Sequence, residues 1–186
     1  MRAANNLAVS LLEREAYGAA EDLLRPAIAA FPQLTSTQET QRTLSRALDN
    51  LAWACRGQER YDEADSLYRQ GLKIHEKLLG PDHLDVAQSC NNLALVLIGK
   101  SCLTEAESQL QRALTIRETA LGSGHEKVST TLANLAFLHM TQGHTTRGLR
   151  EAIRALEICR KRLGDNHPRT QALLAWLHSL SDDAPP

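Results

Sequence analysis

The chain runs to 186 residues, 42% hydrophobic and 23% charged, with a formal net charge of −1, the make-up of an ordinary globular protein of one or two domains. So small a charge supplies no global field to hold nucleic acid or an anionic membrane, and 4% aromatic residues leave few rings for base stacking. Met1-Arg2-Ala3-Ala4-Asn5-Asn6 turns polar before any apolar stretch develops, and no run approaches the roughly 18 apolar residues of a membrane span; a cytoplasmic protein is expected.

From its N-terminus onward the chain repeats itself. Asn6-Leu7-Ala8 opens a first, looser copy, with Tyr17 and Ala20 at offsets that Tyr61 and Ala64 reproduce in the second. Asn50-Leu51-Ala52, Asn92-Leu93-Ala94 and Asn134-Leu135-Ala136 then follow at a spacing of 42 residues, against 44 for the first interval. Leu79-Gly80, Leu121-Gly122 and Leu163-Gly164 keep the register, as do His83, His125 and His167. A fixed period of this length marks a small unit that cannot bury its apolar face alone and is stacked so that neighbours bury it.

Within the third copy, Val86, Cys90, Leu93, Ala94 and Leu97 recur every three or four residues, which predicts an amphipathic helix from about His83 to Gly99. Gly99-Lys100-Ser101 breaks it. Leu103, Ala106, Leu110, Ala113, Leu114 and Ile116 resume the period to about Ala120, so each unit is read as two antiparallel helices. Ala52, Ala64, Ala94, Ala106 and Ala136 let the backbones approach, and Gly148 takes this to its limit. Gly80, Gly122 and Gly164 are read as left-handed helix ends, with Asp82 and Asn166 as N-caps of the helices that follow. Repeat copies are expected at about 1–36, 37–80, 81–122 and 123–164, in one domain over 1–180. Leu173, Leu174, Trp176, Leu177 and Leu180 predict a capping helix over 167–180, followed by a disordered tail at 181–186.

No enzyme chemistry is expected. His83, His125 and His167 fall one per repeat, which keeps them apart, whereas zinc needs ligands within about 2.0 to 2.3 Å of one point. His125-Glu126 begins like His-Glu-x-x-His but has Ser129 where the second histidine belongs. Gly122-Ser123-Gly124 has Lys127 where a phosphate loop needs its third glycine. Cys55, Cys90, Cys102 and Cys159 form no Cys-x-x-Cys, and the nearest pair would stand about 18 Å apart along a helix; they are read as reduced thiols packed like small apolar residues. No metal, cofactor or catalytic residue is assigned.

Leu-Ala near the middle of each first helix, an aromatic at the turn (Tyr17, Tyr61) and an alanine three residues on (Ala20, Ala64, Ala106) resemble the tetratricopeptide repeat. Leu79-Gly80-Pro81-Asp82-His83 and Leu163-Gly164-Asp165-Asn166-His167-Pro168, with the 42-residue period, are similar to the kinesin light chain type of that repeat. Copy one departs from the pattern, with Phe31-Pro32-Gln33-Leu34-Thr35-Ser36 as its connector. Copy four, with Thr145 and Gly148, is expected to pack least tightly. The resemblance implies an all-α, right-handed α-solenoid of about four antiparallel helix pairs plus a C-terminal capping helix. It also implies a concave wall lined by the first helix of each pair.

On that wall the resemblance exposes Asn6 in copy one; Arg46, Asn50, Trp53 and Arg56 in copy two; Gln88, Asn92 and Leu95 in copy three; and Thr130, Asn134 and Phe137 in copy four. A ladder of amides beside large apolar groups suits a peptide segment of a partner protein. Trp53 is the expected anchor. The asparagines have a second use open to them, bridging adjacent repeats, and Trp53 could instead fill space between copies. The expected function is thus non-enzymatic peptide capture by a monomer or weak homodimer. The alternative is a structural, regulatory or self-association module of a larger signalling or sensor assembly.

Overall fold

A computed structural model of the protein describes residues 1–31 and 37–182. The connector read at Pro32 to Ser36 and the last part of the tail, 183–186, lie outside the described residues. Among the described residues there are nine α-helices and no strand: α1 (Arg2–Glu13), α2 (Tyr17–Ala29), α3 (Gln38–Gly57), α4 (Tyr61–Leu79), α5 (Leu84–Gly99), α6 (Leu103–Leu121), α7 (Glu126–Thr141), α8 (Thr145–Leu163) and α9 (Pro168–Asp182). The fold is all-α and of the solenoid class. Two compact units divide within α6, one of residues 1–106 and the other of 107–186.

The turn inside each helix pair is built four times in the same way. Ala16, Arg60, Cys102 and His144 donate their backbone N–H to the carbonyls of Leu11, Cys55, Leu97 and His139, at 2.8–2.9 Å. The residue before each donor sits at positive φ: Glu15 at 58°, Glu59 at 60°, Ser101 at 61° and Gly143 at 78°. Only the fourth copy uses the residue that tolerates this conformation without cost.

The connectors between pairs correct two sequence expectations. Gly80 and Gly164 have φ of 86° and 87° but ψ of 163° and 165°, an extended quadrant open to glycine alone rather than the left-handed helical one. The caps of the following helices are the histidines, not Asp82 and Asn166. His83, His125 and His167 each accept, through Nδ1, the backbone N–H two residues on, at 3.1–3.2 Å. The repeating histidine is therefore a helix start, satisfying one of the four donors that a helix leaves unpaired.

In the first unit Ala8, Ala20, Leu24, Ala52, Ala64, Leu93, Ala94 and Ala106 are fully buried and Leu51 is 3% exposed, each large aliphatic side chain contributing about 1.5–3 kcal/mol. Tyr17 and Tyr61 pack against Gly57 and Gly99, where a β-carbon would come within 2.5 and 2.6 Å of the rings. Charged residues tie the second helix of one repeat to the next pair. Arg25 reaches Glu63 at 2.5 Å while Glu21 accepts from Gln58 at 2.8 Å and from Arg60. One period later Arg69 reaches Glu105 at 2.8 Å and Asp65 meets Lys100 at 2.7 Å. Burial acts to raise the Glu21 carboxyl, but hydrogen bonds from Gln58, Arg25 and Arg60 overcome it and hold the group at about 2.

The second unit buries Val128, Leu135, Ala136, Ala152 and Ala155 completely. His139, equally buried, is clamped between Glu151 at 2.6 Å and Glu107 at 3.2 Å, and Arg147 reaches Glu107 at 2.7 Å. The looseness expected of copy four is absent at Gly148, whose missing β-carbon would lie 2.8 Å from Met140 Sδ and 3.0 Å from the Ala136 carbonyl. Cys55, Cys90 and Cys159 are buried as expected, whereas Cys102 is exposed.

Candidate functional site

On α3 and α5 the period of 3.6 residues divides the side chains into two sets. One set, including Leu51, Ala54, Leu93 and Val96, is sealed in the core. The other emerges on one side of the first unit, where Arg46, Asn50, Trp53, Gln88 and Asn92 line a shallow depression with Asp49. A second depression adjoins it, formed by Trp53, Arg56, Tyr68, Gln88, Asn92 and Leu95. Trp53, Gln88 and Asn92 form the shared wall. Thus seven of the residues read from the sequence, all those from copies two and three, meet on one surface.

Polar contacts preorganise this surface. Gln88 donates through Nε2 to Asn92 Oδ1 at 2.9 Å, leaving the Asn92 amide hydrogens as donors. Tyr68 lines the second depression with Arg56, and burial pushes its phenol upward from the ordinary range. Arg46 stands 3.9 Å from Asp85 and Arg42 3.4 Å from the same carboxylate. Asn6 is exposed on α1. Its neighbour Asn5 is the buried one, donating to the Thr43 carbonyl at 3.1 Å, so bridging between repeats falls to the residue before the ladder. Arg2, Asn5, Asn6, Glu39, Arg42, Thr43 and Arg46 line a further depression there.

In the second unit Asn134 is half-buried on α7 and Phe137 is 51% exposed. Thr130 is engaged: Arg169 of α9 donates to its hydroxyl, which in turn donates to the Glu126 carbonyl.

Sequence reading missed a buried polar position that recurs with the period. It holds His75, Arg117 and Cys159 in turn. Arg117 is 2% exposed and donates to the Lys127 carbonyl at 3.0 Å and to Thr131 Oγ1 at 2.6 Å. Cys159 Sγ lies 3.2 Å from Ser129 Oγ. The ring of His75 lies between two serines, Nε2 at 2.8 Å from Ser45 Oγ and Nδ1 at 3.0 Å from Ser89 Oγ. Ser89 meets Asp49 Oδ2 at 3.1 Å. Serine, histidine and aspartate so arranged invite a hydrolase reading, but Ser45 and Ser89 are both fully buried, with no room for a substrate at either hydroxyl. Burial raises the Asp49 carboxyl to about 7, with Asp85 adding to the effect against the Ser89 bond, and burial likewise lowers His75. Only the one-residue offset from the ladder could have pointed to Asp49, and offset alone carries no chemistry.

Among the described residues no three potential metal ligands converge, and no helix is long and apolar enough to cross a membrane.

Family models of the tetratricopeptide repeat match residues 43–117 and 85–147 in one form, and 1–30 and 128–169 in another. No curated protein matches the chain in sequence. Among solved structures, BtubC (BKLC) from P. vanneervenii is similar at 23% identity and a TM-score of 0.76, over 95% of this chain and 71% of that one. A putative kinesin light chain with nearly identical TPR-like repeats from Podosopora anserina is similar at 21% identity and a TM-score of 0.75, over 92% of this chain and 81% of its own. The apo form of RapI is similar at 17% identity and a TM-score of 0.76, over 95% of this chain but 46% of its own. Tetratricopeptide repeats generally mediate protein–protein interactions, and proteins built from them are generally scaffolds. With its 42-residue period, its paired helices and these matches, the chain belongs to the tetratricopeptide repeat family, and its fold is similar to that of kinesin light chain-type repeats.

Proposed function

We propose that the chain is a non-enzymatic adaptor that captures a peptide segment of a partner protein along the faces of its first helices. The observation that carries this reading is the pair of depressions sharing Trp53, Gln88 and Asn92. Trp53 and Leu95 offer apolar contact, Asn50 and Asn92 offer amides to a ligand backbone, and Arg46 and Arg56 favour acidic side chains. Asn6, Thr130, Asn134 and Phe137 extend the same reading to copies one and four. The fold in this reading is one cooperative domain over 1–180, working in a reducing compartment that suits its free thiols. A peptide array followed by fluorescence anisotropy on its best binder tests the proposal. Capture weakened by Trp53→Ala with helical circular dichroism retained supports it, and capture indifferent to that change refutes it.

One observation favours a second reading, self-association. Leu7 is 54% exposed although it shares its register with Leu51, Leu93 and Leu135, which are at most 3% exposed. Light scattering that shows a dimer in the parent and a monomer in Leu7→Glu would support that reading over a monomeric adaptor.

A further inference from the structure

With the imidazole of His75 neutral, the form its burial favours, the hydrogens of the cluster on α3, α4 and α5 can be placed in two ways. Ser45 Oγ lies 2.9 Å from the Arg42 carbonyl, to which it can only donate. If it does, His75 must donate to Ser45 through Nε2, and its Nδ1 must accept from Ser89. Ser89 has then spent its one hydrogen, so its 3.1 Å contact with Asp49 Oδ2 requires a proton on the carboxyl. In the reverse arrangement Ser45 gives up the Arg42 carbonyl and donates to Nε2, Nδ1–H donates to Ser89, and Ser89 donates to an ionised Asp49. Each arrangement leaves the imidazole neutral and both serines paired; they differ in the charge of Asp49 and in which ring nitrogen carries hydrogen.

We propose that Asp49, at the edge of the surface depression, and the buried Ser89, His75 and Ser45 form a proton switch, in which loss of the Asp49 proton to solvent moves the imidazole hydrogen of His75 from Nε2 to Nδ1. One proton leaves and every other hydrogen in the chain changes its acceptor. For a neutral imidazole the two changes go together, because an ionised Asp49 beside an unprotonated Nδ1 leaves two acceptors sharing the one Ser89 hydrogen. His75 Nδ1 lies 3.8 Å from Asp49 Oδ2, so Ser89 is the relay. The charged and titratable groups around the cluster are Arg42, Arg46, Asp85 and His83 near the His75 side, and Arg56 and Tyr68 near Asp49. Burial, which places the Asp49 carboxyl at about 7, sets the switch near neutral pH.

Asp49 lines the depression beside Trp53, so a change in its charge acts on that surface. That consequence alone rests on the peptide-binding reading, and the switch itself is measured without a peptide. Long-range proton–nitrogen NMR of the full chain labelled in histidine, with carbon detection of the Asp49 carboxyl, follows both groups from about pH 5.5 to about pH 8.5 across the ordinary imidazole range. The expected result is a His75 tautomer change with the same midpoint as the Asp49 carboxyl, and a single tautomer at every pH in Asp49→Asn. A His75 tautomer that stays constant while Asp49 titrates overturns the proposal. So does conversion of His75 to imidazolium over that range, or a tautomer change that survives in Asp49→Asn. Should Asp49→Asn not fold, the shared midpoint in the parent protein decides.

Discussion

Asp49 turns its Oδ1 against Gly71, where a β-carbon would come within 2.5 Å of that oxygen and 3.4 Å of the Ser45 carbonyl. The same oxygen is buried and accepts no hydrogen bond. Glycine inside α4 is thus the space into which the carboxyl fits. Replacing Gly71 by alanine gains about 1 kcal/mol of helix propensity but forces the carboxyl or the helix aside, costing about 1–3 kcal/mol as overpacking does. Urea denaturation is expected to show a net loss, and a gain would mean that α4 can shift freely from α3.

Stability is expected to fall as pH rises from 3.8 to about 7 because of Asp49. Its folded value of about 7 stands above the ordinary carboxyl value of 3.8, so between these limits the folded chain holds a proton that the unfolded chain has released. Stability from this group is complete below the lower value and is lost as pH rises through the upper one. Asp49→Asn should flatten that fall and raise stability at pH 8 by at most about 4 kcal/mol. Glu21 acts in the opposite sense: lowered from 4.5 to about 2, it contributes stability above its unfolded value that is lost as pH falls toward the folded one. Thermal melts across pH in the parent, Asp49→Asn and Glu21→Gln separate the two limbs.

The periodic histidines should behave as caps. His83→Ala removes the acceptor for the Asp85 N–H and is expected to cost about 1 kcal/mol, whereas His83→Ser, which supplies an oxygen in its place, should restore most of it. Equal losses in both variants would show that the imidazole acts by packing instead.

Glu59 occupies a left-handed conformation at φ 60° that glycine adopts without steric cost. Glu59→Gly is expected to raise stability by up to about 1 kcal/mol, the relief of strain outweighing the added freedom of the unfolded chain. The same change at Glu15 should act likewise, and calorimetry of the two variants and their combination checks additivity.

At the proposed peptide face, Trp53→Ala is expected to weaken capture by about 30-fold, near 2 kcal/mol. Asn92→Ala should cost less, about 5-fold, since it removes amide donors but leaves Gln88 able to hydrogen-bond water. Anisotropy measures both. An Asn92 effect larger than that of Trp53 would shift the anchor from the ring to the amides.

The repeat, its helix pairs, and which leucines and alanines enter the core were legible in the linear chain, because apolar spacing of three and four residues and a 42-residue period are local signals that survive any tertiary arrangement. The histidine caps were visible as a pattern but not as a role, since Asp82 and Asn166 are better intrinsic cappers and only the backbone path decides which side chain reaches the helix N–H groups. The charged ties from Glu21 and Asp65 to the following pair, and the cluster of Asp49, Ser89, His75 and Ser45, were settled by tertiary structure alone. Their partners stand 14 to 40 residues apart, and burial gives a carboxyl or an imidazole its chemistry only once three helices have closed around it.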